Sequence, residues 1–113
     1  MFKRGEIYLV NFNPRRGNEV GKLRPALIIQ SDALNEVEHP TVIVLPLTTK
    51  LMDLHLLRYR VTKRGRLQQD SDILCDQIRA IDIQRIKSPP LARLDETELM
   101  QIEEKVKLIL DFS

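Results

Sequence analysis

The sequence predicts a mainly β protein that ends in one amphipathic helix. Short apolar runs bounded by Pro, Asn, Asp and Thr recur from residue 6 to residue 81, which is typical of strands. The hydrophobic period changes to that of a helix after residue 95. With 113 residues, of which 42% are hydrophobic, we expect one domain over residues 1–113. About five strands and the closing helix would then form a small barrel or a strongly bent sheet.

Each strand is predicted from a short apolar segment. The segments are residues 6–12 (EIYLVNF), 25–30 (PALIIQ), 41–47 (TVIVLPL), 55–61 (HLLRYRV) and 72–81 (DILCDQIRAI). Residues 31–40 are predicted to be a polar connection, and residues 63–65 a turn. In the last predicted strand, the alternation places Cys75, Gln77 and Arg79 on the same side of the sheet.

The helix is predicted from its start signal and its apolar stripe. Asp95 with Glu98 three residues later has the pattern of a capping box, with Asp in place of Ser or Thr. Four apolar residues then follow at helical spacing: Leu99, Ile102, Val106 and Ile109. We expect this stripe to pack on the sheet.

The charge of the chain is unevenly distributed. Residues 1–66 hold 12 Lys and Arg against 6 Asp and Glu, whereas residues 67–113 hold 6 against 10. The basic half indicates a face for an anionic partner such as nucleic acid. No apolar run approaches the ~20 residues of a membrane helix, and Lys3, Arg4 and Glu6 stand where a secretory signal would be apolar. The lone Cys75 has no disulfide partner in the chain. From these three observations together, we expect a cytoplasmic protein without membrane contact.

Three blocks of sequence, in order, resemble one known family. They are residues 4–32 (RGEIYLVNFNPRRGNEVGKLRPALIIQSD), 44–48 (VLPLT) and 70–82 (DSDILCDQIRAID), and the ending LILDF at 108–112 fits as well. Together they resemble the MazF/PemK toxins of bacterial toxin–antitoxin pairs. The resemblance implies an SH3-like barrel of about five strands with a C-terminal helix, and a homodimer. It also implies a metal-independent endoribonuclease that cuts single-stranded RNA at short sequences, with no cofactor. A cognate antitoxin with an acidic, disordered C-terminal tail would inhibit it.

The chemistry of RNA cleavage suits the residues that the family uses. Attack by the RNA's own 2′-OH needs a proton acceptor, a group that stabilises the phosphorane charge, and a proton donor for the leaving 5′ oxygen. Arg24 offers a planar fork of donors that suits a phosphate, and the resemblance makes it the essential catalytic residue. The resemblance also implies catalytic roles for Thr48, whose hydroxyl can donate to phosphate, and for Glu19. Whether Glu19 or Arg24 is the general base, and whether Thr48 or Thr49 supplies the hydroxyl, stays open at this point.

A second set of residues is expected to bind RNA: Phe12, Arg15, Arg16, Asn18, Lys22, Gln77 and Arg79. The cations of residues 15–22 would attract the RNA backbone, which makes binding salt-dependent. Phe12 adjoins the loop and is the aromatic that could meet a base, although a core position is the alternative. Gln77 matches the family's DQI glutamine and could bind RNA or make a structural hydrogen bond. Asn18 stands where the family usually has serine, so base recognition by the loop could differ.

Two other functions fit the same fold. One is a CcdB-like inhibitor of DNA gyrase, but those relatives use a Trp-Gly-Ile ending and this sequence has no Trp. The other is a non-catalytic barrel that only binds RNA or protein. No metal-ligand spacing is found, since His39, His55 and Cys75 lie in no recognisable ligand motif.

Overall fold

A computed structural model describes residues 2–112, so Met1 and Ser113, the two ends of the predicted domain, lie outside the described residues. The described residues form seven strands, two α-helices and one 3-10 helix. In chain order these are β1 (Glu6–Asn11), β2 (Leu23–Ile28), α1 (Asp32–Glu36), β3 (Thr41–Thr48), β4 (Arg58–Val61), β5 (Ser71–Leu74), β6 (Arg79–Asp82), the 3-10 helix (Ile83–Arg85), β7 (Ile86–Arg93) and α2 (Glu96–Leu110).

The strands form one antiparallel, barrel-like sheet in the order β4-β5-β3-β2-β1-β7, with β6 also paired to β3. The long strand β3 causes the bend, because its first half pairs with β6 and its last residues pair with β5. Residues in the middle of β3 pair with β2 on the other side. The predicted class, mainly β with a closing helix, is confirmed. Within residues 2–112, no helix has the length and apolarity to span a membrane.

The prediction of one strand over residues 72–81 is wrong. The segment forms two strands, β5 and β6, and the chain turns between them, where the Gln77 amide donates to the Leu74 carbonyl at 3.1 Å. Cys75 and Gln77 therefore lie in a turn, and they do not share a strand face with Arg79. The physical reason is the bend of β3, which a single straight strand could not follow along its whole length.

Two further elements differ from the sequence prediction. The sequence analysis predicts no strand where β7 lies. Pro89 and Pro90 are unusual in a strand, but β7 is at the edge of the sheet, where a missing amide donor is tolerated. The predicted connection over residues 31–40 contains the short helix α1, which Ser31 caps by accepting from the Ala33 amide. Neither difference moves the strands that carry the candidate site.

Both faces of the sheet are buried. On one face α2 covers the larger core, where Ile102 is buried and the other three residues of the predicted stripe pack around it. The predicted capping box of α2 is present, because Asp95 and Glu98 each accept from the other's backbone amide. Cys75 packs in this core, and burial raises the pKa of its thiol to about 11. The second core, on the opposite face, contains Tyr8 and Phe12.

Candidate active site

A cleft of about 460 Å³ opens where the loop of residues 12–22 meets the start of β2 and the end of β3. We call it the central cleft. Six residues predicted for the site line it: Arg15, Asn18, Glu19, Lys22, Arg24 and Thr48. Its walls also include Asn13, Thr49, Lys50 and Ser71. The structure thus brings together all three residues predicted to be catalytic.

Strand register places Arg24 opposite Thr48. β2 and β3 pair with Ala26 opposite Pro46, and continuing that antiparallel register by two residues puts the first residue of the RP motif across from the threonine. Arg24 NH1 accordingly donates to the carbonyl of Leu47, the neighbour of Thr48, at 3.3 Å. The pairing of two strands therefore sets the relative position of the guanidinium and the hydroxyl.

The Arg24 side chain is oriented but keeps donors free. Its Nε donates to the Gly21 carbonyl at 2.8 Å, which fixes the plane of the guanidinium. Among residues 2–112 it forms no ion pair, and its NH2 group donates to no protein acceptor. Burial lowers the pKa of Arg24. A half-buried cation without a carboxylate partner can bind an anion in the cleft, and its fork suits two phosphate oxygens.

Thr48 also faces the cleft, and its hydroxyl group is free to donate a hydrogen bond. Its Oγ1 accepts from the Lys50 amide at 3.2 Å, which leaves the hydroxyl proton available to a ligand. Thr49 lines the cleft as well, but it follows the end of β3, whereas Thr48 belongs to the strand. The strand position favours Thr48 as the better-fixed hydroxyl of the two.

Hydrogen bonds close the base of the loop, and one glycine lets it fold back on itself. The Asn13 side chain accepts from the Lys22 amide at 2.7 Å, and the Phe12 amide donates to the Lys22 carbonyl at 2.9 Å. A Cβ at Gly21 would lie 2.6 Å from the Cβ of Arg15, so only glycine fits this close approach. The sequence therefore gives the loop a defined shape with Glu19 at the rim of the cleft.

Gln77 and Arg79 lie outside the central cleft. They line a side cleft of about 380 Å³ on the other side of Asn18 and Glu19. The side-chain oxygen of Gln77, Oε1, accepts a hydrogen bond from the Val20 backbone amide at 3.3 Å. This is the structural hydrogen bond that the sequence analysis gave as one of two possible roles for Gln77. Their binding of RNA stays a prediction, and so does that of Arg16, which does not line the central cleft.

The prediction that Phe12 stacks on a base is wrong. Its side chain is 1% exposed and packs in the second core, so no base can reach the ring. The guanidinium of Arg79 lies over the ring, 5.4 Å from its centroid. Phe12 belongs to the first strand's inward row, as the alternative interpretation of the sequence had it.

The sequence analysis missed an ionic cluster behind the cleft. Asp72, whose side chain is 1% exposed, accepts from Arg58 NH1 at 3.1 Å, from Arg60 Nε at 2.9 Å and from the Met52 amide at 2.9 Å. Burial opposes its ionisation, but the hydrogen bonds from Arg60, Met52 and Arg58 prevail and lower its pKa. Arg58 also donates to the Lys50 carbonyl at 2.8 Å. The alternation of Arg58 and Arg60 in β4 was the available signal, because both fall on one strand face.

The cluster connects to Thr48 through two contacts. Asp72 pairs directly with Thr48 in the β3–β5 ladder. Asp72 also accepts a hydrogen bond from Arg58, and Arg58 donates another to the Lys50 carbonyl. The Lys50 amide in turn donates to the hydroxyl oxygen of Thr48. The buried carboxylate thus fixes the start of the loop that borders the cleft.

The central cleft is strongly positive. Its lining includes four cations, Arg15, Lys22, Arg24 and Lys50, and the single carboxylate of Glu19. In the described part of the chain, no group of three His, Cys, Asp or Glu side chains is arranged to hold a metal ion. The cleft therefore has the composition of a binding site for a polyanion.

Comparison with known proteins places the chain in a family. The family model described as "PemK-like, MazF-like toxin of type II toxin-antitoxin system" matches residues 3–110. The chain is 34% identical over 112 residues to the Endoribonuclease MazF of Staphylococcus epidermidis, covering 97% of this chain and 92% of that protein.

Solved structures agree with this match. A crystal structure of MazF from Deinococcus radiodurans has a TM-score of 0.79 and 26% identity, covering 96% of both chains. A MazE–MazF crystal structure from the same organism has a TM-score of 0.73 and 27% identity, covering 96% of this chain and 95% of that one. The chain therefore belongs to the PemK-like, MazF-like toxins of type II toxin–antitoxin systems.

Proposed function

We propose that this chain is an endoribonuclease that cuts single-stranded RNA, mRNA included, at short sequences in the cytoplasm. One observation carries the proposal: Arg24, with donors free and no carboxylate partner among the described residues, lines the same cleft as Thr48, together with three other cations. The 34% identity to a protein named Endoribonuclease MazF supports it.

The proposed reaction is attack of the 2′-OH on the adjacent phosphate. Arg24 binds the non-bridging oxygens and stabilises the charge that grows on the phosphorane, and it donates the proton to the leaving 5′ oxygen. Thr48 donates its hydroxyl proton to a phosphate oxygen. Glu19, the one carboxylate of the cleft, takes the 2′ proton. No step in this scheme requires a metal ion or a water nucleophile.

The test is cleavage of RNA in EDTA, with analysis of the product ends. Wild-type protein should give a 2′,3′-cyclic phosphate on one fragment and a 5′-hydroxyl on the other. Arg24→Ala should be slower by ~100-fold or more, the effect of removing one preorganised charge-stabilising donor. Arg93→Ala, which removes an exposed arginine of β7 outside the cleft, serves as the matched control and should keep full activity. Activity that disappears in EDTA and returns with magnesium would contradict the proposed mechanism.

We also propose that an acidic, disordered antitoxin tail inhibits this chain by covering the cleft. The family assignment to toxin–antitoxin systems and the 27%-identical MazE–MazF structure support a protein inhibitor. The cations of the central cleft would attract an acidic segment for the same electrostatic reason that they attract RNA. Inhibitor and uncleavable RNA should therefore compete. Simultaneous binding without mutual weakening would show that the tail binds elsewhere.

We propose further that the chain is a homodimer. The segment after β3 exposes large apolar side chains, among them Met52 at 52% and Leu56 at 76%, and a second copy could cover them. Light scattering at micromolar concentration should give twice the chain mass of 13.2 kDa. A mass of one chain would contradict the proposal.

A further inference from the structure

A second groove, of about 590 Å³, opens beside the central cleft. We call it the flanking groove. It shares Pro25, Thr49 and Ser71 with the central cleft, so the two form one continuous depression. Its far wall is the segment of residues 65–69, to which neither the proposed chemistry nor the predicted site assigns a role.

The far wall has a fixed backbone. Arg64 and Leu67 exchange backbone hydrogen bonds of 3.2 and 2.9 Å, and the Arg66 amide donates to the Leu91 carbonyl of β7 at 2.7 Å. Gly65 has a φ of +55°, and a Cβ there would lie 2.9 Å from the Leu91 carbonyl oxygen. Only glycine allows this turn to lie so close to β7.

Side chains anchor the same turn at two more points. Arg64 NH1 forms an ion pair with Glu98 Oε1 of α2 at 2.7 Å. The Lys63 amide donates to Asp70 Oδ1 at 2.8 Å and so joins the two sides of the turn. The segment is therefore held against β7, α2 and itself.

The polar side chains of the far wall, in contrast, have no hydrogen-bond partner in the described part of the protein. Arg66, Gln68 and Gln69 are exposed and line the groove. Within residues 2–112, none of these three side chains forms a hydrogen bond or an ion pair with the protein. A rigid backbone that presents free amide and guanidinium groups into a groove has the form of a preorganised ligand site.

The charges decide which way a polyanion leaves the central cleft. The flanking groove is lined by one cation, Arg66, and by no carboxylate. The side cleft at the opposite end is lined by Arg79 but also by Glu19 and Asp76. A phosphate backbone is therefore attracted more strongly toward residues 65–69 than toward the side cleft.

We propose that the flanking groove binds RNA next to the scissile phosphate and contributes to the choice of cleavage sequence. Arg66 binds a phosphate, and the amides of Gln68 and Gln69 pair with a base edge that carries an adjacent donor and acceptor. This inference rests on the proposed endoribonuclease function, because it extends the same RNA path beyond the cleaved bond.

The first experiment compares cleavage preferences. Fragment ends are sequenced after wild-type protein or the double variant Gln68→Ala, Gln69→Ala acts on a mixed RNA pool. The variant should keep the same product ends but lose roughly tenfold of its preference at one position beside the scissile bond, the effect of one lost base contact. Gln101→Ala, at an exposed glutamine of α2, is the matched control and should change nothing. An unchanged preference in the double variant, while wild type cleaves normally, overturns the inference and leaves the proposed function standing.

The second experiment measures binding and does not depend on cleavage. A labelled RNA with 2′-deoxy sugars is titrated with Arg66→Ala and with the control Lys63→Ala, which removes a cation that does not line the groove. Arg66→Ala should weaken binding severalfold and reduce the slope of log affinity against log salt by about 1, while Lys63→Ala should not. If both variants bind RNA like wild type, or if Arg66→Ala weakens only an acidic antitoxin peptide, the groove is not an RNA site. Failure of the wild type to cleave any RNA would refute the proposed function. Because cleavage and binding are measured separately, this result can be distinguished from a failure of the flanking groove to bind RNA.

Discussion

Asp72→Asn should destabilise the protein and slow its catalysis together. The substitution keeps the shape of the side chain and removes its charge. In the wild type, this carboxylate is 1% exposed and accepts four hydrogen bonds, two from Arg60, one from Arg58 and one from the Met52 amide. The variant leaves two guanidinium groups beside a neutral amide that can accept on only one oxygen.

The size of the effect follows from the exposure of the partners. Removing one member of a buried ion pair costs ~3–5 kcal/mol when the other is left buried. The Arg58 side chain is 16% exposed and cannot easily reach water, whereas Arg60 is 41% exposed and can. The Arg60 pair therefore counts as a surface pair, which contributes little to stability. We expect a loss of about 2–3 kcal/mol in the free energy of unfolding, or roughly 10–15 °C in Tm.

The assays are urea unfolding and RNA cleavage, with Asp53→Asn as the matched control. Asp53 pairs only with Arg60 and is 75% exposed, so its loss should cost under ~0.5 kcal/mol. Because the pKa of Asp72 is lowered on folding, its contribution is present above pH ~4 and is lost as pH falls through the folded pKa. The stability gap between wild type and Asp72→Asn should therefore close in acid. Equal stability of Asp72→Asn and Asp53→Asn at pH 7 would refute the reasoning.

Two further predictions concern the catalytic pair and the helix start. Arg24→Lys should cleave RNA slowly compared with wild type, because an ammonium cannot reproduce the two-donor fork of a guanidinium. Thr48→Val should lose more cleavage activity than Thr49→Val, and equal losses would show that Thr48 has no special role. Glu98→Gln should lower stability by about 1 kcal/mol at pH 7, since the hydrogen bond from Arg64 lowers the pKa of Glu98. This gap should shrink as the pH falls from ~4 through the folded pKa of Glu98, and a gap that keeps its full size in acid would assign the effect to packing instead.

The strands could be predicted from the sequence, but their bending could not. Apolar runs between turn residues predict β1, β2 and β3, because strands buried on both faces have nearly continuous apolar sequences. The break between β5 and β6 depends on how β3 bends, and that bend is set by pairing with strands far away in sequence. The edge strand β7 contains Pro89 and Pro90, so its local sequence contradicts its structure and only sheet position explains it.

The candidate site was predictable where a motif names the residue. Arg24 and Thr48 came from family motifs, and the pairing of β2 with β3 brings both to the same cleft. Phe12 was misjudged because nearness to a loop in sequence does not reveal burial against a second core. Asp72 was missed because its ionic cluster arises only when β4 and β5 pair with Arg60 directly opposite it. A motif can be found in the sequence alone, but a contact between two strands can be predicted only when their register is known.

The most direct test of the central claim is cleavage of an RNA that carries one 2′-deoxy sugar immediately 5′ of the scissile bond, in EDTA. If Arg24 and Thr48 assist attack by the RNA's own 2′-OH, this RNA should bind almost as tightly as the all-ribose RNA, because most affinity comes from phosphate contacts, and it should not be cut. Cleavage of the deoxy-substituted bond at a rate near that of the ribose bond would show that water or another nucleophile attacks, and would contradict the mechanism proposed for the central cleft.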